Sequence, residues 1–317
     1  MDISYLLLLQ DFRATINDAL TPFLEWLSHF TVNNFILLPV FIYWVLDKKK
    51  GLYIFASAAA GLAVNSLIKL TVCAYRPWIR DSAIIPAGDA ITEATGYSFP
   101  SGHTACATTI AGGTGVSYGR EKKWIGAICI AFILIVGFSR NYLGVQTPQD
   151  VVVGLILGTA VLFGMQKLFK YLEEHPEKED LCLIIGVAVA VLALIYISFK
   201  PYPMDYVDGK LLVDPKRMMK DGYSDMGLLL FLCVGRFLEK RFVKFKSTGL
   251  KAKGIGLFAL GAVPMYIINK VLGPILVDVL GSHFGSFFTR GFLAIFVVLL
   301  WPMLLKLLVP EARENET

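Results

Sequence analysis

Residues 180–198 read Asp-Leu-Cys-Leu-Ile-Ile-Gly-Val-Ala-Val-Ala-Val-Leu-Ala-Leu-Ile-Tyr-Ile-Ser, and after the opening aspartate no charge appears before Lys200. A helix needs about 20 apolar residues to cross the roughly 30 Å hydrocarbon core of a bilayer. A stretch this long and apolar on every side has no solvated face to offer, as a surface helix of a soluble domain would. Runs of the same kind recur at about 31–47, 51–72, 101–119, 123–140, 149–171, 223–238, 254–280 and 285–308. The whole chain of 317 residues is 56% hydrophobic and 17% charged, with a mean hydropathy of +0.61. Soluble domains are nearer half apolar and a quarter charged. The sequence therefore predicts an all-α polytopic membrane bundle of about nine transmembrane helices, and argues against a soluble enzyme or a disordered tail.

Residues 3–29 differ from these runs, because Asp11, Arg13, Asp18 and Glu25 recur at helical intervals. They read as amphipathic helices lying in the interface. A signal peptide is not expected, since the only charge before the apolar run is Asp2 and a basic leader region is lacking. The expected organisation is interfacial helices over 1–30, a core over 31–172 and a C-terminal transmembrane extension over 173–317.

The net charge of +5 is explained by topology. More than half of the 30 Lys and Arg residues fall in the loops after the odd-numbered runs and in the tail: 48–50, 120–123, 167–178, 240–253, Lys306 and Arg313. Basic loops stay in the cytosol, so the C-terminus is expected there and no nucleic-acid partner is needed. The cysteines at 73, 106, 129, 182 and 233 are scattered, which gives neither a disulfide framework nor a zinc pattern.

Four basic residues defy that bias: Lys69, Arg76, Arg80 and Arg140 lie at the non-cytoplasmic ends of runs. Three of them belong to short motifs on that face. Lys69 precedes Arg76-Pro77, Pro100-Ser101-Gly102-His103 opens the third run, and Ser139-Arg140 is followed by Gln146 and Asp150. Each piece alone has an ordinary reading, as a snorkelling cation, a helix cap, an interfacial anchor or a first-turn acid. Together they place three cations, which suit a dianionic phosphate and include forked guanidinium groups. Ser101 and Gly102 open a helix whose free N–H groups attract anions. His103 has an unperturbed pKa near neutrality and can hand over a proton. Gln146 and Asp150, four apart, would share a helix face.

Lys69-x6-Arg76-Pro77, Pro100-Ser101-Gly102-His103 and Ser139-Arg140-x5-Gln146-x3-Asp150 resemble the three signature motifs of the type 2 phosphatidic acid phosphatase superfamily. The nine-run layout is similar to its sphingosine-1-phosphate phosphatase and glucose-6-phosphatase branches. The resemblance implies phosphate binding by Lys69, Arg76, Ser101, Gly102 and Arg140, with His103 as general acid. Asp150 would orient a histidine that attacks phosphorus and forms a phosphohistidine. It implies no metal, since the cations supply the electrostatic stabilisation, and no other cofactor.

Where the family has that nucleophilic histidine, this chain has Gln146. The amide nitrogen's lone pair is delocalised into the carbonyl, so glutamine is no nucleophile. In a serine protease, loss of the nucleophile removes about six orders of magnitude in turnover. The sequence predicts a site that binds phosphate and hydrolyses it barely or not at all. It is then either a natural binding or transport protein on the phosphatase fold, or a phosphatase altered by one substitution to trap its substrate. Survival of every other motif residue, Asp150 included, favours the second. His29 and His283 fall on the same expected face, but interfacial histidines are usually bystanders.

A mouth at the membrane surface suits a phosphorylated lipid: a sphingoid-base phosphate, a phosphatidate or a polyprenyl phosphate or diphosphate. A soluble sugar phosphate is the competing phosphomonoester. The loop 78–98, with Trp78, Arg80, Asp81, Asp89, Glu93 and Tyr97, is expected to cover the site, and the hydrophilic segment 199–222 lies on the same face. Lys270 is unusual inside a run and is expected to face a partner such as Asp278 or a cavity.

Overall fold

The computed structural model describes residues 2–94, 96–207 and 209–309. The tail beyond, with Arg313 and the C-terminus assigned to the cytosol, lies outside the described residues. Among the described residues the structure is an all-α bundle apart from an isolated bridge between Tyr75 and Tyr97 and a short strand pair, β1 (Tyr206–Val207) and β2 (Lys210–Leu211), in which Tyr206 faces Leu211. Its helices are α1 (Asp2–Thr15), α2 (Thr21–Asn33), α3 (Leu37–Phe41), α4 (Lys48–Val72), α5 (Pro77–Arg80), α6 (Ala90–Glu93) and α7 (Gly102–Tyr118). Then follow α8 (Lys123–Tyr142), α9 (Pro148–Glu174), α10 (Glu179–Phe199), α11 (Pro215–Leu238), α12 (Ala252–Ile267), α13 (Gly273–Ile295) and α14 (Trp301–Leu308).

Among the described residues five helical stretches are long and apolar enough to cross a membrane, or six if Thr21–Asn33 and Leu37–Leu46 form one bent span. They include α4, α8, α9 and Pro176–Phe199. The fifth, Ala252–Leu308, has 57 residues. At 1.5 Å per residue it would be about 85 Å long, far beyond one crossing. It breaks at Gly281, whose φ of 79° is left-handed, and a Cβ at Gly285 would strike the backbone of Val277 at 2.4 Å. The chain therefore doubles back there, between the runs read at 254–280 and 285–308. The third run forms α7 but is only 17 residues long, and the seventh lies inside α11, whose first turns are charged.

The run expected at 31–47 is not one helix. α2 stops at Asn33, Phe35 N–H returns to the Phe30 carbonyl, and α3 restarts at Leu37. Pro39, which lacks an N–H, is tolerated in such a first turn but not mid-helix. Lys270 is exposed in a π turn, and among the described residues no ion pair joins it to Asp278.

The chain divides into two compact units. The first comprises residues 1–36, 64–163 and 200–218. α7 is its central helix, with ten buried residues from Thr104 to Thr114. α9 approaches α7 through Gly154 and Gly158, where a Cβ would lie 2.6 Å from the Ser101 carbonyl and 2.7 Å from Thr108 Cβ. Small residues allow this backbone approach. The second unit comprises residues 37–63, 164–199 and 219–317. Its core gathers Trp44, Phe258, Phe296 and Trp301, and Trp44 Nε1 donates to the Val297 carbonyl at 2.8 Å.

Candidate active site

All the motif residues fall in the first unit, delivered by three helix junctions. α4 ends at Val72, three residues after the half-buried Lys69. Four residues on, Arg76 is 6% exposed, donates to the Val145 carbonyl at 2.9 Å and has its guanidinium 5.9 Å from the Trp78 ring centre. Arg76 and Pro77 thus start α5 while holding the turn between α8 and α9.

The second junction is the start of α7. Ser101 is the N-cap, and its Oγ accepts the Thr104 N–H at 3.2 Å, as serine does at a helix start. Ser101 N–H donates to the Asp150 carbonyl at 2.9 Å, and Asn65 Nδ2 donates to the Pro100 carbonyl at 3.4 Å. Gly102 and His103 occupy the first turn, where backbone N–H groups lack helical acceptors. His103 Nε2 is buried with no hydrogen-bond partner among the described residues. The charges of Arg140, Arg76, Lys69 and His29 bear on its ring.

The third junction carries Arg140 and Gln146. α8 ends in a left-handed turn at Gly144, φ 71°, after which the N–H groups of Val145 and Gln146 both return to the Arg140 carbonyl at 3.2 Å. A glycine in this conformation is a common way to end a helix. It brings Gln146 onto the residue six positions earlier. Arg140, 1% exposed, donates from Nε to Gln146 Oε1 at 3.3 Å and from Nη1 to Ser28 Oγ. Ser101 Oγ donates to the same Gln146 oxygen at 2.7 Å. Two donors assigned to phosphate therefore converge on one carboxamide oxygen.

Asp150 stands differently from the sequence expectation. Gln146 precedes α9, so the two residues share no helix face. Thr147 and Asp150 instead form a capping box: Thr147 N–H donates to Asp150 Oδ2 at 2.7 Å, and Asp150 N–H to Thr147 Oγ1 at 3.3 Å. Ser98 Oγ donates to the same carboxylate oxygen at 2.6 Å, while Gln146 Nε2 donates to the Ser98 carbonyl at 3.2 Å. Asp150 and Gln146 are thus linked through Ser98.

The two spare histidines separate. His29 lies within electrostatic reach of His103, whereas His283 belongs to the second unit and stacks on Tyr223 with ring centres 5.1 Å apart. The loop 78–98 is sewn down: Ile85 N–H bonds Gln10 Oε1 at 2.8 Å, Asp89 N–H bonds Glu25 Oε1 at 2.7 Å, and Ala87 N–H bonds the Leu143 carbonyl at 3.0 Å. Glu93's side chain lies outside what is described. From the segment after α10, Lys200 Nζ donates to the Leu70 carbonyl and to Thr71 O at 3.4 Å, and Asp205 accepts from the Tyr75 hydroxyl.

Sequence reasoning missed Ser28, Asn65, Ser98 and Thr147. Thr147-x-x-Asp150 was legible as a capping box and Gly154-x3-Gly158 as a close-approach motif. Ser28 and Ser98 carry no such signal.

Residues 50–174 match the PAP2 superfamily. The undecaprenyl-diphosphatase of Sulfolobus acidocaldarius is 28% identical over 116 residues, covering 37% of this chain and 53% of that protein. The undecaprenyl-diphosphatase BcrC of Bacillus subtilis is 28% identical over 152 residues, covering 46% of this chain and 74% of that protein. The chain thus spans about half the length of the first relative and three quarters of the second. No solved structure matches.

Proposed function

Residues 50–174 belong to the PAP2 superfamily, and from that premise we propose that the chain is a metal-independent membrane phosphatase of phosphorylated lipids whose turnover is suppressed by Gln146. The observation that carries the reading is the convergence of Ser101 and Arg140 on the Gln146 carboxamide oxygen. An anionic phosphate oxygen asks for the same donors, and accepts them more strongly because it is charged. Lys69 and Arg76 add positive charge, and the free first-turn N–H groups at Gly102 and His103 add donors.

With phosphate bound, His103 Nε2 is the proton donor to the leaving oxygen; its lack of a partner supports that assignment. The missing step is attack on phosphorus. A histidine at 146 would supply the lone pair, expel the leaving group and become a phosphohistidine that water then opens. Glutamine supplies none, so substrate binds and stays. Among the lipid phosphates, the names of the two relatives favour a polyprenyl phosphate or diphosphate. The basic-loop bias supports a site on the non-cytoplasmic face and a cytoplasmic C-terminus.

A second reading, a phospholipid-binding or transport protein without hydrolysis, is favoured by how completely Gln146 is satisfied by its neighbours. One experiment separates the two. Phosphate release is measured without metal, in detergent, for the wild-type chain and for Gln146→His. The substrates are a polyprenyl diphosphate, a phosphatidate, a sphingoid-base phosphate and a sugar phosphate. We expect turnover of a lipid substrate by Gln146→His to exceed wild type by several orders of magnitude, up to about 10⁶. Inertness of both forms, with phosphate ligands still bound, would replace the phosphatase by the carrier.

A further inference from the structure

The second unit contains a cavity of about 510 Å³, walled by α4, α9, α10 and α11. None of its lining residues belongs to the phosphate site. The volume falls within the range of small-molecule sites, about 300–1,000 Å³. Its walls are graded. Lys48 and Lys49 on α4, Glu173 on α9, Glu179 on α10 and Arg236 on α11 all stand at one end. Ala60, Met165, Gly186 and Leu229 stand at the other. α4 and α10 run away from the charged end while α9 and α11 run toward it, so the same order arises four times independently. From Lys48 to Ala60 along α4 is about 18 Å at 1.5 Å per residue. Half of a bilayer's hydrocarbon core is roughly 15 Å.

The charges at the mouth are not equivalent. Arg236 is held by Glu179 at 2.8 Å and Glu239 at 2.5 Å, and Lys48 by Glu239 at 2.7 Å. Lys49 meets Glu173 at 3.3 Å, with side chains 80% and 58% exposed. An exposed pair of that kind contributes little and exchanges readily. An apolar slot one leaflet deep, with an exchangeable cation at its mouth, matches an anionic amphiphile. A soluble anion would leave the apolar walls unused, and an uncharged hydrocarbon would leave Lys49 unused. We infer that this cavity takes one acyl chain of an anionic membrane lipid, whose headgroup displaces Glu173 from Lys49. It is a second lipid site, independent of the hydrolytic reading.

Cys182, half-buried, and Cys233 both line the cavity and report on its occupancy in the unaltered protein. The test follows maleimide labelling of Cys182 in the full chain in mild detergent, titrated with phosphatidylglycerol or phosphatidylcholine. Labelling should slow as 1 + [L]/Kd, about tenfold at ten times Kd, with phosphatidylglycerol at lower concentrations than phosphatidylcholine. Lys49→Glu reverses the charge and should weaken protection by phosphatidylglycerol by more than the about fivefold effect of losing one basic residue at an anionic lipid, and leave phosphatidylcholine unchanged. Ala56→Trp, which fills the slot, should abolish protection. Equal protection by both lipids, an unaltered lipid preference in Lys49→Glu, or no protection of the wild-type chain by either lipid overturns the proposal.

Discussion

In the second unit Glu239 is wholly buried and receives Lys48 at 2.7 Å, Arg236 at 2.5 Å and the Phe245 N–H at 3.2 Å. Around it, Glu179 and Asp180 receive Arg236, Lys240 and Arg241 at 2.8–3.1 Å. In the first unit Arg140 is as deeply buried, yet it bonds the neutral oxygens of Gln146 and Ser28, and Arg76 bonds the Val145 carbonyl. Asp150, the acid of that cluster, is engaged by Thr147 and Ser98. One cluster closes its charges with opposite charges from the same unit, and ties helices together. In the other, Arg140 donates to Gln146 and Ser28 and Arg76 to the Val145 carbonyl, and a charged anion accepts such bonds more strongly than a neutral oxygen. Burial is alike in the two; carboxylates receive the bonds named in one and neutral oxygens those named in the other, the difference expected between a structural lock and the phosphate site proposed above.

The sharpest way to break this contrast is to remove one charge from each cluster. Glu239→Ala leaves Lys48 and Arg236 without their shared carboxylate in a buried setting, and loss of one member of such a pair costs about 3–5 kcal/mol. We expect a large fall in the melting temperature in detergent, with phosphate binding by the folded fraction retained. Arg140→Gln removes a charged donor from the proposed phosphate site. Bonds to charged groups contribute about 1.5–3 kcal/mol, so binding of inorganic phosphate or vanadate should weaken roughly 10- to 100-fold. Its melting temperature should fall less than that of Glu239→Ala. The reverse ranking would mean that Arg140 serves the fold and Glu239 the ligand.

Much of this was legible in residue order. Helices long and apolar enough to cross a membrane declare themselves by composition, because a bilayer offers a backbone no other partners. Arg76, Ser101 and Arg140, each from a different motif, converge around one turn. What escaped is the wiring between them. Ser98 links Gln146 to Asp150 through a carbonyl and a hydroxyl, and no periodicity marks such a residue. Spacing also misled at Gln146, because a four-residue interval implies a shared face only inside a helix, and α9 begins at Pro148. Residues 200–218 fold with the unit that holds the motifs, although they are distant from them in sequence. Contacts between distant segments, such as Lys200 on the Leu70 carbonyl, leave no trace in either segment alone.

The segment that holds Lys200 also carries Asp205, half of a partly exposed pair next to Arg76. Tyr75, next to Arg76, donates its hydroxyl to Asp205 and so ties the hairpin-bearing segment to the first motif. Burial, and then the Asp205 carboxylate, push the Tyr75 hydroxyl up to about 12. Since the folded value is raised above the ordinary tyrosine value near 10, the tie is fully present below pH 10. It is lost as pH rises through about 12, when phenolate and carboxylate repel. The late-titrating part of the wild type's tyrosinate absorbance should therefore shrink by one tyrosine in Tyr75→Phe. At neutral pH the variant loses one hydrogen bond, about 1 kcal/mol, so trypsin cleavage at Lys210 in the hairpin should quicken about fivefold. An unchanged cleavage rate would mean that Lys200 alone holds the segment, through its bonds to the last carbonyls of α4.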